Sequence, residues 1–213
     1  MRAPTRRDFV AGPAGRIECA IDAPAGGGPH GSGSARGIAL VAHPHPLHGG
    51  TLDNKVVQTL ARAFAERGYV AWRPNFRGVG GSEGSYDEGR GEVEDLAAVF
   101  MHARREHGDA PPVLAGFSFG AAMQAKLGQR LRNEGRALLP MVLVGIAVNH
   151  FDLPAVPPET LLIHGERDET VPLSAVLDWA RPQDLPVIVV PGADHFFHGR
   201  LHSLRGVVQH RWG

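Results

Sequence analysis

Gly116-Phe117-Ser118-Phe119-Gly120 constrains this chain more than any other segment. It follows a short apolar run at 112–116 and precedes a helix-like stretch at 119–131, so it turns the chain sharply from a buried strand into a helix. Such a turn leaves little room for side chains two residues either side of the serine, and both of those positions are glycine. It lifts the hydroxyl clear of the backbone and aims the first N–H groups of the helix at the same space. A serine hydroxyl is a weak nucleophile until a base takes its proton. Ser118 is therefore the candidate nucleophile. With 28 glycines in 213 residues, a G-x-S-x-G string alone says little; the strand–turn–helix setting carries the reading.

The same alternation runs through the chain. Strand-length apolar runs lie at 37–42, 69–72, 112–116, 141–148, 160–163 and 187–190. Between them, helical spacing appears at 54–67, where Val56, Val57, Leu60, Ala63 and Phe64 share a face and Gly68 stops the helix. It recurs at 92–107, 119–131, 173–179 and, after the last strand, at 198–210. Strands that are apolar on both faces and alternate with helices predict an α/β fold, a mostly parallel twisted sheet with helices on both faces. Runs at 5–10 and 16–21, joined by Gly12-Pro13-Ala14-Gly15, predict an antiparallel N-terminal edge. The Gly/Ser/Pro-rich stretch 23–36 reads as a flexible connection. There is no internal repeat, and a chain of this length supports one core more readily than two, so residues 1–213 are expected to form a single domain.

Charge narrows the partners. Lys plus Arg and Asp plus Glu are both 22, without the positive excess of a nucleic-acid or polybasic membrane binder. A small-molecule substrate is expected, with no nucleic acid and no membrane. The lone Cys19 can form neither an intrachain disulfide nor a cysteine zinc site. No run has the eighteen or so apolar residues of a spanning helix. Thr5-Arg6-Arg7-Asp8-Phe9-Val10 has the look of a twin-arginine core, but turn-forming residues and Arg16 follow it instead of an apolar region. Arg6 and Arg7 are read as surface charges, and the cytoplasm is the expected compartment.

A serine hydrolase of this architecture carries its triad in the order Ser, acid, His. Asp168 lies in the loop after the strand at 160–163, where open parallel sheets place their chemistry. His195 lies in the loop after 187–190 and before the last helix. Position, not residue type, singles it out among twelve histidines. Asp152 is the strongest rival acid; Glu166, Glu169 and Asp194 are weaker. A tetrahedral oxyanion needs preorganised donors. The Phe119 N–H is one. The other should come from the loop after 37–42, where Pro44 and Pro46 have no N–H; His45 between them has, with Leu47 second. His43-x-His45-x-x-His48 also has metal-ligand spacing, but without an obvious further ligand, and no metal is expected. Gly78-Val79-Gly80-Gly81-Ser82-Glu83 departs from a dinucleotide fingerprint at its last position and opens no helix. Arg77 beside it is a candidate for a substrate contact or an internal ion pair.

These segments together resemble the α/β-hydrolase superfamily from about residue 37 to the C-terminus. The landmarks are His43-Pro44-His45-Pro46-Leu47-His48-Gly49-Gly50, Asn75-Phe76-Arg77-Gly78-Val79-Gly80-Gly81-Ser82, the Ser118 turn, and the loops of Asp168 and His195. The chain looks most like small cap-less bacterial esterases similar to dienelactone hydrolases. Dienelactone hydrolases use cysteine where this chain has Ser118, so their substrate does not carry over. The resemblance implies an α/β-hydrolase fold. Only 149–159 separate the strands between which a cap is often inserted, which is too short for a cap domain. The site is then expected to be open and bordered by Leu47, Phe119, Phe151 and Phe196. The expected reaction is hydrolysis of small or short-acyl carboxylic esters through an acyl-enzyme, with no cofactor. Thioester or peptide hydrolysis, or a non-catalytic binding role, are the alternatives. Monomer or homodimer stays open.

Overall fold

The computed structural model describes residues 5–24 and 35–212. Most of the expected connection at 23–36 lies outside the described residues. The strands are β1 (Thr5–Gly12), β2 (Gly15–Asp22), β3 (Gly37–Ala42), β4 (Tyr69–Pro74), β5 (Pro112–Phe117), β6 (Met141–Val144), β7 (Leu161–Gly165) and β8 (Val187–Val190). The helices are α1 (Lys55–Ala65), α2 (Arg90–His107), α3 (Phe119–Asn133), α4 (Leu173–Ala180) and α5 (Leu201–Arg211). One eight-stranded sheet has the order β1-β2-β4-β3-β5-β6-β7-β8. From β4 to β8 every neighbouring pair is parallel; β1–β2 and β2–β4 are antiparallel. The sheet has the α/β-hydrolase architecture.

Side chains alternate across each central strand. Ile38, Leu40 and Ala42 of β3 join the core under α2, α3 and α4, with Leu96, Phe100, Leu127 and Val176. Ala39 and Val41 join the core under α1 and α5, with Leu60, Phe64, Leu204 and Val208. Burying a leucine or phenylalanine on either face contributes roughly 1.5–3 kcal/mol. Asn54 caps α1 by accepting from Val56 N–H at 2.9 Å and Val57 N–H at 3.4 Å, a cap that contributes about 1 kcal/mol. The Glu92 carboxylate accepts the N–H groups of Asp87 and Gly89 at the start of α2, both at 2.8 Å.

Two boundaries differ from the sequence reading. The run at 141–148 leaves the sheet after Val144, because Gly145 takes φ +52° and turns the chain away. The last helix starts at Leu201, so His198 precedes it; its N–H and ring instead meet the Asp194 carboxylate, at 2.9 and 2.6 Å. Between β6 and β7 the chain contains no helix. Among the described residues no helix is long and apolar enough to cross a membrane.

Candidate active site

The site forms at the carboxyl ends of β3, β5, β7 and β8. Ser118 sits between β5 and α3 at φ +55°, ψ −117°, a conformation that costs a non-glycine residue energy and is retained where surrounding structure enforces it. The flanking glycines explain how. A Cβ on Gly116 would lie 2.5 Å from the Gly120 carbonyl carbon, and one on Gly120 would lie 2.4 Å from the Ala42 carbonyl oxygen. Strand, turn and helix thus touch backbone to backbone.

His195 Nε2 lies 3.1 Å from Ser118 Oγ, and His195 Nδ1 lies 2.6 Å from Asp168 Oδ2. An ionised carboxylate only accepts, so Nδ1 carries the proton and Nε2 is free to accept from the serine. Asp168 is held by more than the histidine: its Oδ1 accepts the N–H groups of Thr170 and Val171, at 3.0 and 2.8 Å. All three side chains are buried in residues no more than 8 % exposed. The rival acids are engaged elsewhere or lie apart. Asp194 pairs with His198, Glu166 accepts the Gly192 N–H at 2.7 Å, and Asp152 lines a surface groove with Arg90 and Lys126. Glycine is again required where the two loops meet. A Cβ on Gly165 would lie 2.6 Å from the Ala193 carbonyl oxygen and 2.7 Å from that of Asp194.

The loop after β3 is built around His43. It is fully buried; Nδ1–H donates to Pro44 O at 2.7 Å and Nε2 accepts the Phe76 N–H at 2.9 Å. Burial pushes its pKa down to about 4, against a smaller upward pull from the Pro44 carbonyl. His45 N-caps a single 3-10 turn over Pro46–His48, its Nδ1 accepting the Leu47 N–H at 3.2 Å. That bond spends the Leu47 donor. The backbone N–H groups of His45 and Phe119 donate to no group among the described residues, and α3 has no side-chain cap over its first N–H groups. The histidine triplet does not converge. His43 points inward with both ring nitrogens bonded, while the rings of His45 and His48 stack at 4.4 Å.

Aromatic rings flank the serine on two sides. Phe119 packs on His45 at 5.0 Å, Phe151 at 5.5 Å and Tyr86 at 6.0 Å between centroids. Phe117 and Phe196 lie beside His195, at 4.9 and 5.2 Å. Phe151 is half-buried and Phe196 exposed, while Leu47 projects into solvent at the rim. Arg77 faces inward and makes a two-pronged pair with Asp95, both contacts 2.8 Å; it is structural. The glycine-rich loop after β4 is tied to β2 through Glu18, whose Oε2 accepts the Gly81 N–H at 2.8 Å. Cys19 is buried and its thiol pushed up to about 12 by that burial, so it offers no competing thiolate.

A family model described as serine aminopeptidase, S33, matches residues 42–152, about half of the chain. An uncharacterized protein of Rickettsia prowazekii is 35 % identical over 170 residues, 75 % of this chain and 71 % of that protein. A crystal structure of an α/β serine hydrolase without lid from Xanthomonas campestris is 34 % identical at TM-score 0.87, covering 99 % of this chain and 94 % of the other. The chain belongs to the α/β-hydrolase family of serine hydrolases. An α/β serine hydrolase homologue from Coxiella burnetii is likewise similar to this hydrolase, 38 % identical at TM-score 0.82 over 98 % and 97 % of the two chains.

Two residues of this α/β hydrolase escape the sequence reading. Tyr86 joins the aromatic wall from the glycine-rich loop after β4, 5.0 Å from His45. Its signal was an aromatic in a loop leaving a strand's carboxyl end. His164, the penultimate residue of β7, is fully buried with Nε2 2.9 Å from Val171 O and 3.4 Å from Asp168 Oδ2. Burial lowers its pKa, so it is neutral at neutral pH.

Proposed function

We propose that this hydrolase cleaves small or short-acyl carboxylic esters through an acyl-enzyme. The reading is carried by the unbroken series Ser118 Oγ, His195, Asp168, with contacts of 3.1 and 2.6 Å. In this mechanism Ser118 Oγ attacks the ester carbonyl carbon while His195 Nε2 takes its proton. The carbonyl oxygen becomes an oxyanion that accepts from the N–H groups of Phe119 and His45. Collapse expels the alcohol, to which His195 returns the proton. Water, deprotonated by the same imidazole, then attacks the acyl-enzyme and releases acid and Ser118. Asp168 holds the Nδ1–H tautomer and stabilises the imidazolium throughout.

The absence of a helix between β6 and β7 and the exposure of Leu47 and Phe196 favour substrates that need little enclosure. The test is fluorophosphonate labelling of wild type beside S118A, read by intact mass, followed by p-nitrophenyl esters of two to twelve acyl carbons. Labelling of wild type alone, with rates falling beyond short acyl chains, is expected. Preference for long-chain triglycerides would sink the substrate assignment.

The aminopeptidase name of the matching family model makes peptide hydrolysis the second reading. An aminopeptidase needs a carboxylate for the substrate ammonium. Asp194 is already paired with His198, which leaves Glu169 in the groove beside His195. Aminoacyl p-nitroanilides turned over faster than acyl esters, and slowed by E169Q, would favour this reading.

A further inference from the structure

His164 stands behind the candidate triad, and the mechanism above does not use it. Its ring is fully buried, and Nδ1 has no hydrogen-bond partner among the described residues. An orphaned polar nitrogen in a core that an apolar side chain could fill calls for a reason. The reason lies at the other nitrogen. Nε2 faces two oxygens, Val171 O at 2.9 Å and Asp168 Oδ2 at 3.4 Å. A bare lone pair there would repel both, so Nε2 carries the proton and Nδ1 is the bare acceptor turned into the core.

This tautomer closes a small circuit. His164 Nε2–H holds the carbonyl of Val171. The N–H of the same residue donates to Asp168 Oδ1 at 2.8 Å, which sets the plane of the carboxylate. That plane directs Oδ2 at His195 Nδ1, 2.6 Å away. Val171 is thereby gripped at both ends of its backbone, and the grip originates on β7, whose partners β6 and β8 fix it in the sheet. The contact at 3.4 Å adds the positive end of an N–H dipole beside Oδ2.

We infer that His164 is a positioning residue: its Nε2–H, through the Val171 carbonyl, fixes the orientation of the Asp168 carboxylate toward His195. The inference rests on the serine-hydrolase reading for its catalytic consequence, but not for its geometry.

Glutamine and leucine variants separate this role from packing. The glutamine amide nitrogen reaches about as far as Nε2, whereas leucine fills the space without a donor. In H164L, kcat on p-nitrophenyl butyrate should fall at least tenfold with KM within twofold. The downfield proton NMR signal of the His195 Nδ1–H to Asp168 bond should weaken or move upfield. H164Q should recover both, to within about threefold of wild-type kcat. If H164L does not fold, H164N replaces it, since its amide stops short of the Val171 carbonyl. An H164L enzyme with wild-type kcat and an unchanged downfield signal would overturn the inference, as would an H164Q enzyme no better than H164L. A wild type that neither labels with fluorophosphonate nor turns over esters defeats the hydrolase reading; the downfield signal in H164L against H164Q still decides the role of His164.

Discussion

Replacing His45 by proline deletes one proposed oxyanion donor and little else from the backbone. His45 has φ −53°, inside the range a proline ring imposes. Its N–H donates to no group among the described residues, so the ring removes no existing hydrogen bond. What is lost besides the donor is the imidazole, which accepts from Leu47 N–H and packs on His48, Tyr86 and Phe119. H45A loses the same imidazole but keeps the N–H, so the comparison of H45P with H45A isolates the donor. Losing the cap costs about 1 kcal/mol of stability, expected as a similar fall in unfolding free energy for both variants. Losing an oxyanion donor costs about 3 kcal/mol of transition-state stabilisation, or 10²–10³ in kcat. H45A is therefore expected within tenfold of wild type in kcat on p-nitrophenyl acetate, and H45P at least a hundredfold below H45A. Circular dichroism melts establish that both are folded at the assay temperature. A folded H45P enzyme within tenfold of H45A would remove His45 from the oxyanion hole; an inactive but folded H45A would shift the weight to the imidazole.

Three further outcomes follow from the geometry. D168N keeps the shape of the carboxylate but lets His195 adopt the wrong tautomer, so kcat should fall by roughly 10⁴ with only a modest change in melting temperature; a fall of less than tenfold would exclude Asp168 as the acid. G165A would push a Cβ against the carbonyl oxygens of Ala193 and Asp194, at an expected cost of about 1–3 kcal/mol in a urea melt and at least tenfold in kcat, since the same loop carries His195; wild-type values in both would show that the loop yields freely. His43 takes up its proton in the folded state only near pH 4, against an ordinary 6.5. The unfolded state thus binds more protons between those values, and the His43 contribution, about 3 kcal/mol, is complete above pH 6.5 and lost as pH falls toward 4. H43Q keeps an acceptor for the Phe76 N–H but cannot charge, so its urea stability should be lower at pH 7 and fall less between pH 7 and 4; an equal acid slope in both proteins would refute the assignment.

What could be read from the sequence alone is what depends on local periodicity. The alternation of apolar runs with helical spacing determines a parallel sheet covered on both faces, because each strand must bury both sides and each helix one. The Ser118 turn is legible because strand, turn and helix are consecutive and Gly116 is required by Gly120 and Ala121, four and five residues on, whereas the need for glycine at 120 comes from Ala42 and His43, far away in sequence. Asp168 and His195 are legible as loop positions after strands, since that is where the architecture collects its chemistry. Tertiary structure decided the rest. Asp168 rather than Asp152 meets His195 because the N–H groups of Thr170 and Val171 turn its carboxylate there, and a loop's path is not periodic. Where 141–148 leaves the sheet is set by the Gly145 turn beside Phe117 and His195. Tyr86 joins the site from a loop whose partners, His45 and Phe119, are far off in sequence and come within reach only once the sheet has brought the carboxyl ends of its strands together. His164 meets Asp168 and Val171 only four and seven residues on, but which ring nitrogen faces them is set by the path of the loop after β7, which has no periodicity to read.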